Sequence, residues 1–258
     1  MNLRTDRALV LRRHPYSESS LVVSALTREH GLVQFLARGA YRPRSRFYAV
    51  LDLFHELELE WKLPKSGELT SLRNGELIRR RRCITQSLAR YRCAVSMLEL
   101  SHLVSRAGHP ERQLFDALSR GLDSLQGGCT DENLVRIEFE LAFLRLHGLS
   151  PALDCCAACG AQAPPREDPP RVCFSAGAGG RLCSACGADT RAGGGRVGTL
   201  PLDVVEVAAS LDRQQPIAAS PDLLLRVRDF LERFLDFHLG TRPRSSREFL
   251  AAENRNAR

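Results

Sequence analysis

Residues 51–63 read LDLFHELELEWKL, and this stretch decides the fold class of the N-terminal third of the chain. Apolar residues occupy every second position, with His55 in the series, and charged residues alternate with them. Phe54 is the one exception on the charged side. A period of two places one face of a strand in a core and the other in solvent, so the pattern predicts a half-buried β-strand.

Four more short strands are expected around this one. Apolar, β-branched runs at residues 8–13, 21–26 and 32–37 precede it, and an extended pattern at 68–77, broken at Asn74-Gly75, follows it. Five strands within about 80 residues suit a small closed barrel of the OB type. The loops after the first and fourth strands would then frame the ligand face of that barrel.

From residue 84 the apolar period becomes helical. The expected buried stripes are Leu88/Tyr91/Val95/Leu98, Leu114/Leu118/Leu122/Leu125, Leu134/Ile137/Leu141/Leu144 and Leu224/Val227/Leu231/Phe234/Leu235/His238. Asp131 and Ser220 are expected to cap the third and the last helix. We therefore predict an α+β multidomain protein. An OB-fold nucleic-acid-binding barrel (1–82) precedes an all-α domain (83–153 and 200–258, with a basic tail) that is interrupted by a zinc-ribbon-like insert (154–199).

The insert carries the strongest chemical motif. Residues 156–161 read CAACGA and residues 183–188 read CSACGA. Two C-x-x-C turns supply four thiolates, so Cys156, Cys159, Cys183 and Cys186 are predicted to hold one structural Zn²⁺. The insert shows no apolar stripe, so metal binding is the expected source of its stability. An iron–sulfur cluster, a redox pair and a disulfide are weaker alternatives, Cys155 competes with Cys156 as first ligand, and Cys173 is spare.

The charge is uneven. The chain carries +7, and residues 1–82, with 16 Lys+Arg against 9 Asp+Glu, account for the whole excess. Such asymmetry suggests a nucleic acid or an acidic membrane as partner, although a solvated basic surface would give the same count. There is no apolar run long enough to span a membrane and no signal-peptide pattern, so a cytoplasmic location and no membrane partner are expected.

A basic, aromatic segment at residues 38–48 is the candidate nucleic-acid contact. Arginine side chains contact phosphates, and aromatic rings stack on bases. The predicted DNA-binding residues are Arg38, Tyr41, Arg42, Arg44 and Arg46, with Tyr16 and Lys65 from the two framing loops. The alternative is that Phe47 and Tyr48 pack inside the barrel and only the arginines are exposed. The familiar nucleotide-binding and hydrolase motifs are absent from the sequence, so no enzymatic activity is expected.

Several segments, in order, resemble the RecO-type DNA repair proteins, which are bacterial recombination mediators. They are ALVLRR (8–13), YSESSL (16–21), LTREHG (26–31), ARGA (37–40), FELAFL (139–144), GLSP (148–151) and the stretch 239–250. The resemblance implies binding of single- and double-stranded DNA, strand annealing, and assistance to RecA on DNA covered by single-stranded DNA-binding protein. It also implies two direct partners, RecR and the acidic C-terminal tail of that protein.

Five arginines are candidates for the partner tail on this resemblance: Arg112, Arg136, Arg242, Arg244 and Arg247. The first two are expected to be free on helices. An alternative class is a zinc-containing OB-fold RNA-binding protein of the translation or transcription apparatus, which a preference for the 2′-OH would reveal. A metal-dependent nuclease is a more distant alternative.

Overall fold

The structure is a computed structural model, and it describes residues 3–42, 45, 47, 50–63, 69–166 and 168–240. The chain divides into two compact units with a boundary between Thr130 and Asp131. Within the described ranges, no helix is both long and apolar enough to cross a membrane. Seven residues named above as candidates or alternatives lie outside these ranges: Arg44, Arg46, Tyr48, Lys65, Arg242, Arg244 and Arg247.

The first unit begins with the predicted five-stranded barrel. Its strands are β1 (Leu3–Pro15), β2 (Leu21–Thr27), β3 (Gly31–Ala37), β4 (Glu56–Lys62) and β5 (Thr70–Arg79). They close in the order β1-β2-β3-β5-β4, and every neighbouring pair is antiparallel except β3 and β5. This is the topology of an OB-type barrel, so the predicted fold class is confirmed.

The alternation that predicted β4 is correct in its second half. Leu57, Leu59 and Trp61 point into the barrel and are buried. The first half is not a strand, because Phe54 adopts φ +72° and turns the chain just before β4. Phe54 was expected on the outer face, but it is buried and its ring packs edge-on against Tyr91 at 5.5 Å.

The predicted break in β5 at Asn74-Gly75 is wrong, because both residues pair with β4. Gly75 allows the close approach, since a Cβ there would lie 3.2 Å from the side chain of Leu59. Two helices complete the unit after a short 3-10 turn at Cys83–Gln86: α1 (Leu88–Val104) and α2 (Arg112–Gly127).

The α2 stripe is buried as predicted, whereas the α1 stripe is wrong in its first turns. Leu88 and Tyr91 are exposed, and Cys93, Ala94 and Met97 are buried instead. The buried residues of α1 also include the small polar Ser96 and Ser101, so its buried face is wider than the leucine pattern indicates.

The second unit contains α3 (Glu132–Leu146), α5 (Leu202–Asp212) and α6 (Pro221–Leu239), with a Cys-rich segment between α3 and α5. Asp131 and Ser220 cap α3 and α6 through their side chains, as predicted. The Cys-rich segment folds into a sheet of order β7-β6-β8, formed by Gly180–Leu182, Arg171–Ser175 and Gly198–Pro201, together with α4 (Ser184–Ala192).

The expectation that this segment lacks an apolar face is wrong. Val172, Phe174 and Leu182 are buried, and the Phe174 ring packs edge-on against Phe230 of α6 at 5.1 Å. The three-stranded sheet is therefore attached to the helices of its unit by aromatic contacts, and a bound metal is not its only source of stability.

Candidate metal centre and nucleic-acid interface

The four predicted cysteine ligands meet in one cluster. The sulfur atoms of Cys156, Cys159, Cys183 and Cys186 all lie within 4.8 Å of one another, and those of Cys159 and Cys183 are 3.9 Å apart. A tetrahedral site with Zn–S bonds of about 2.3 Å needs sulfur separations of about 3.8 Å. The spacing therefore fits a tetrathiolate metal site with no open position.

Local backbone geometry builds both turns of the cluster. Gly160 adopts φ +72°, and its N–H donates to the Cys156 carbonyl at 2.8 Å. Cys183 follows β7 and caps α4, where the Gly187 N–H donates to its carbonyl at 2.9 Å. The structure brings Cys156 rather than its exposed neighbour Cys155 into the cluster.

The chemistry of the donor set also fits a metal. Burial opposes ionisation of Cys156, but N–H groups of Cys183, Cys159 and Ala158 donate to its sulfur and lower the pKa of this thiol to about 6. Hydrogen bonds from the neighbouring thiols raise the pKa of Cys186 to about 12. Four thiolates at this spacing repel one another unless a cation neutralises them, so the cluster fits a divalent ion that prefers sulfur.

On the barrel, two predicted aromatic contacts lie on adjacent loops. Tyr16 and Tyr41 are exposed, and the Tyr41 N–H donates to the Ser19 carbonyl at 3.1 Å, which ties the segment after β3 to the β1–β2 turn. Arg38 and Arg42 are exposed on the same segment. In the described part of the chain, neither of these two arginines forms an ion pair.

Phe47 packs inside the barrel, which was the alternative to an exposed ring that contacts nucleic acid. Phe47 is only 7% exposed and belongs to the barrel core together with Leu51 and Trp61. It is therefore not available as a stacking surface for a base. Arg44, Arg46, Tyr48 and Lys65 lie outside the described residues, so this part of the predicted interface stays a prediction.

The partner-binding candidates on helices differ in their surroundings. The expectation that Arg112 is free is wrong, because Arg112, although exposed, forms an ion pair with Glu29 in which its Nε donates at 2.7 Å. The expectation that Arg136 is a free surface cation is wrong, because Arg136 is 4% exposed and its Nε donates to Glu140 at 2.7 Å. Glu232 of α6 lies 3.6 Å from the same guanidinium.

Sequence reasoning missed this buried ion cluster of the second unit. Burial has the largest effect on the Glu140 carboxyl and raises its pKa, and Arg136 opposes that shift. The i, i+4 spacing of Arg136 with Glu140 and of Arg228 with Glu232 was a usable signal. It did not reveal that the two pairs face each other across α3 and α6.

A second ion cluster joins the barrel to α2 within the first unit. Arg81, which lies in a run of four arginines (79–82), is fully buried, and its Nε donates to Asp123 at 2.8 Å. Glu56 is buried beside it and accepts from Arg7 at 2.6 Å and from Ser119 at 3.0 Å. These pairs remove part of the basic excess from the surface, whereas Arg38 and Arg42 form no ion pair with any residue that the structure describes.

These features define a class of protein, in which a basic OB-type barrel is followed in the chain by a helical unit with a four-cysteine metal-binding cluster. The family model for the recombination protein O N terminal matches residues 1–81, and the model for the C terminal matches residues 85–248. The chain belongs to the recombination protein O (RecO) family.

Individual relatives agree with this assignment. The chain is 37% identical to the DNA repair protein RecO of Anaeromyxobacter dehalogenans strain 2CP-1, over 95% of this chain and 96% of the relative. It is 30% identical to that of Desulfatibacillum aliphaticivorans, over 94% and 95%. It is 34% identical to that of Thermobifida fusca, over 72% and 74%.

Proposed function

We propose that this protein acts in DNA repair as a non-catalytic recombination mediator. It binds single- and double-stranded DNA, anneals complementary strands, and helps RecA load onto DNA covered by single-stranded DNA-binding protein. Membership of the RecO family supports the repair role, and the OB-type barrel supports nucleic-acid binding. A cytoplasmic, nucleoid-associated location follows from this function.

The paired loops of the barrel carry the DNA-binding proposal. Tyr16 and Tyr41 expose rings on segments that the hydrogen bond from Tyr41 to Ser19 holds together. Rings of this kind stack on bases of any sequence, while the exposed Arg38 and Arg42 on the same segment as Tyr41 can contact phosphates. The combination favours sequence-tolerant binding of a single strand, which a mediator and an annealing protein both require.

The cysteine cluster holds Zn²⁺ in this proposal. Cys156, Cys159, Cys183 and Cys186 would bind the ion as four thiolates, and a closed tetrathiolate site is structural. When bound, the ion neutralises the thiolates and crosslinks the two C-x-x-C turns. Its role is to fix β7 and α4 against the turn at Cys156, and it takes no part in DNA chemistry.

The protein partners are proposed from the family resemblance. They are RecR and the acidic C-terminal tail of the single-stranded DNA-binding protein, which would place its terminal carboxylate on a basic residue beside an apolar groove. Arg112 is exposed and suits this role better than the buried Arg136. Arg242, Arg244 and Arg247 remain candidates by sequence.

Binding and annealing assays with matched oligonucleotides test the function. The full chain is expected to bind single-stranded DNA of unrelated sequences with similar affinity, to speed annealing of complementary strands, and to leave labelled DNA uncut in Mg²⁺. A marked preference for RNA of the same sequence would instead favour the RNA-binding class. Cleavage of the DNA would contradict the non-catalytic assignment.

A further inference from the structure

The barrel wall of the first unit opens into a cleft on one side. Strands β3 and β5 pair only at Phe35–Thr70 and Leu36–Ser71, so the first half of β3 has no strand beside it on that edge among the described residues. The cleft has a volume of about 600 Å³, within the range of sites that hold small organic groups. Ala107 and Gly108, in the turn between α1 and α2, also line it, and Ala107 forms an isolated β-bridge with Gly31 at the start of β3.

The floor of the cleft is apolar and its rim is polar. Trp61, Leu63 and Leu69 line it together with Arg4, His30 and Gln34. Arg4 is exposed and forms no ion pair among the described residues, and Gln34 is exposed as well. An apolar slot edged by an amide, an imidazole and a guanidinium has the chemistry of a site for a planar heterocycle that carries a phosphate.

His30 is held in place at this rim. Its Nδ1 lies 2.9 Å from Oδ2 of Asp6, which is buried and also accepts the Glu29 N–H at 2.8 Å. The imidazole stands edge-on to Trp61 at a centroid distance of 5.2 Å. With Nδ1 bound to the carboxylate, Nε2 of His30 is left for a ligand, and the ring is fixed before any ligand arrives.

We propose that this cleft takes one unstacked base of a bound single strand, with the phosphate of that nucleotide on Arg4. The inference rests on the proposed DNA binding and adds a site that is separate from Tyr16 and Tyr41. Gln34 and His30 would hydrogen-bond the edge of the base, and Leu63 and Leu69 would pack on its faces, with the buried Trp61 beneath them. A strand anchored at one base and stacked elsewhere leaves its other bases accessible for pairing.

The sole tryptophan of the chain makes the proposal measurable, since Trp61 lines the cleft. A (dT) oligomer and an abasic oligomer of equal length are titrated into the full chain at low salt. Both should bind through phosphates, but only the (dT) oligomer should change the emission of Trp61. Equal emission responses, or none with a bound (dT) oligomer, would overturn the cleft assignment. Failure of both oligomers to bind would instead overturn the proposed function.

A blocking variant separates the cleft from the exposed tyrosines, which also stack on bases. Ala107 is exposed and lines the cleft, so Ala107→Phe puts a bulky ring at the site, and the exposed Ala89→Phe on α1 is the matched control. Ala107→Phe should abolish the emission change and weaken (dT) binding at least about fivefold, the lower limit for losing one stacked base. Binding of the abasic oligomer should not change. Wild-type (dT) affinity and emission in Ala107→Phe would refute the proposal.

Discussion

The buried arginine Arg81 offers a stability test of the barrel–helix junction in the first unit. Its side chain is fully buried, with Nη1 donating to the Phe54 carbonyl at 2.7 Å and Nη2 to the Ser119 hydroxyl at 2.8 Å. The buried carboxylate of Glu56 lies 3.5 Å from the same guanidinium. Replacing Arg81 with methionine keeps much of the apolar stem but removes every one of these donors.

The expected loss in the free energy of unfolding follows from the buried acceptors that lose their donor. A buried acceptor without a donor lowers the free energy of unfolding by about 1–3 kcal/mol. Arg81→Met leaves two such acceptors, the Phe54 carbonyl and the Ser119 hydroxyl. Asp123 is about one-third exposed, so water can replace its lost partner. The sum of about 2–6 kcal/mol agrees with the roughly 3–5 kcal/mol expected when one member of a buried ion pair is removed.

Urea unfolding followed by Trp61 emission measures this loss, because Trp61 lies in the barrel core. Arg79→Met is the matched control: Arg79 pairs with the same Asp123, but its side chain is 51% exposed, so about 1 kcal/mol or less is expected. If Arg81→Met costs no more than Arg79→Met, the buried cluster does not stabilise the junction and this reasoning is wrong.

Three further predictions concern the metal, the pH and the DNA. Cys156→Ser should lose the bound metal and become susceptible to proteolysis between residues 154 and 199, whereas Cys155→Ser should keep one metal per chain by elemental analysis. Burial is the largest cause of the lowered pKa of His55, whose Nδ1 accepts the Arg81 N–H at 3.1 Å. The unfolded state therefore binds the proton more readily, so the free energy of unfolding should fall as the pH drops below about 6.5, and His55→Gln should flatten part of that slope in urea titrations. Tyr41→Ala should weaken single-strand binding by about 1–3 kcal/mol in fluorescence titrations if the ring stacks on a base, and an unchanged affinity would exclude that role.

Sequence patterns predicted the parts of the fold that follow a single period. The inward residues of β4, the stripe of α2 and the caps at Asp131 and Ser220 were all readable, because each depends on neighbours in sequence. The cysteine quartet was predicted in full, since ligand spacing in C-x-x-C turns is a local property.

Long-range features could not be read in the same way. Glu56 continues the polar series of β4, yet it is buried because Arg7 and Ser119 reach it from distant segments. Arg136 has the sequence of a solvated helix residue, and only the approach of α6 shows that it is enclosed. The cleft beside β3 depends on where two strands diverge, which no spacing in the chain encodes.

The salt dependence of single-strand binding tests the central claim, that the barrel loops are the DNA interface. The slope of log affinity against log salt is measured for the full chain, for an Arg38→Ala/Arg42→Ala variant and for Arg196→Ala, an exposed arginine of the second unit. Each lost phosphate contact on a single strand lowers the slope by about 0.7, so the double variant should lose about 1.4 and the control should match the wild type. A slope unchanged in the double variant, or reduced equally in the control, would contradict the account.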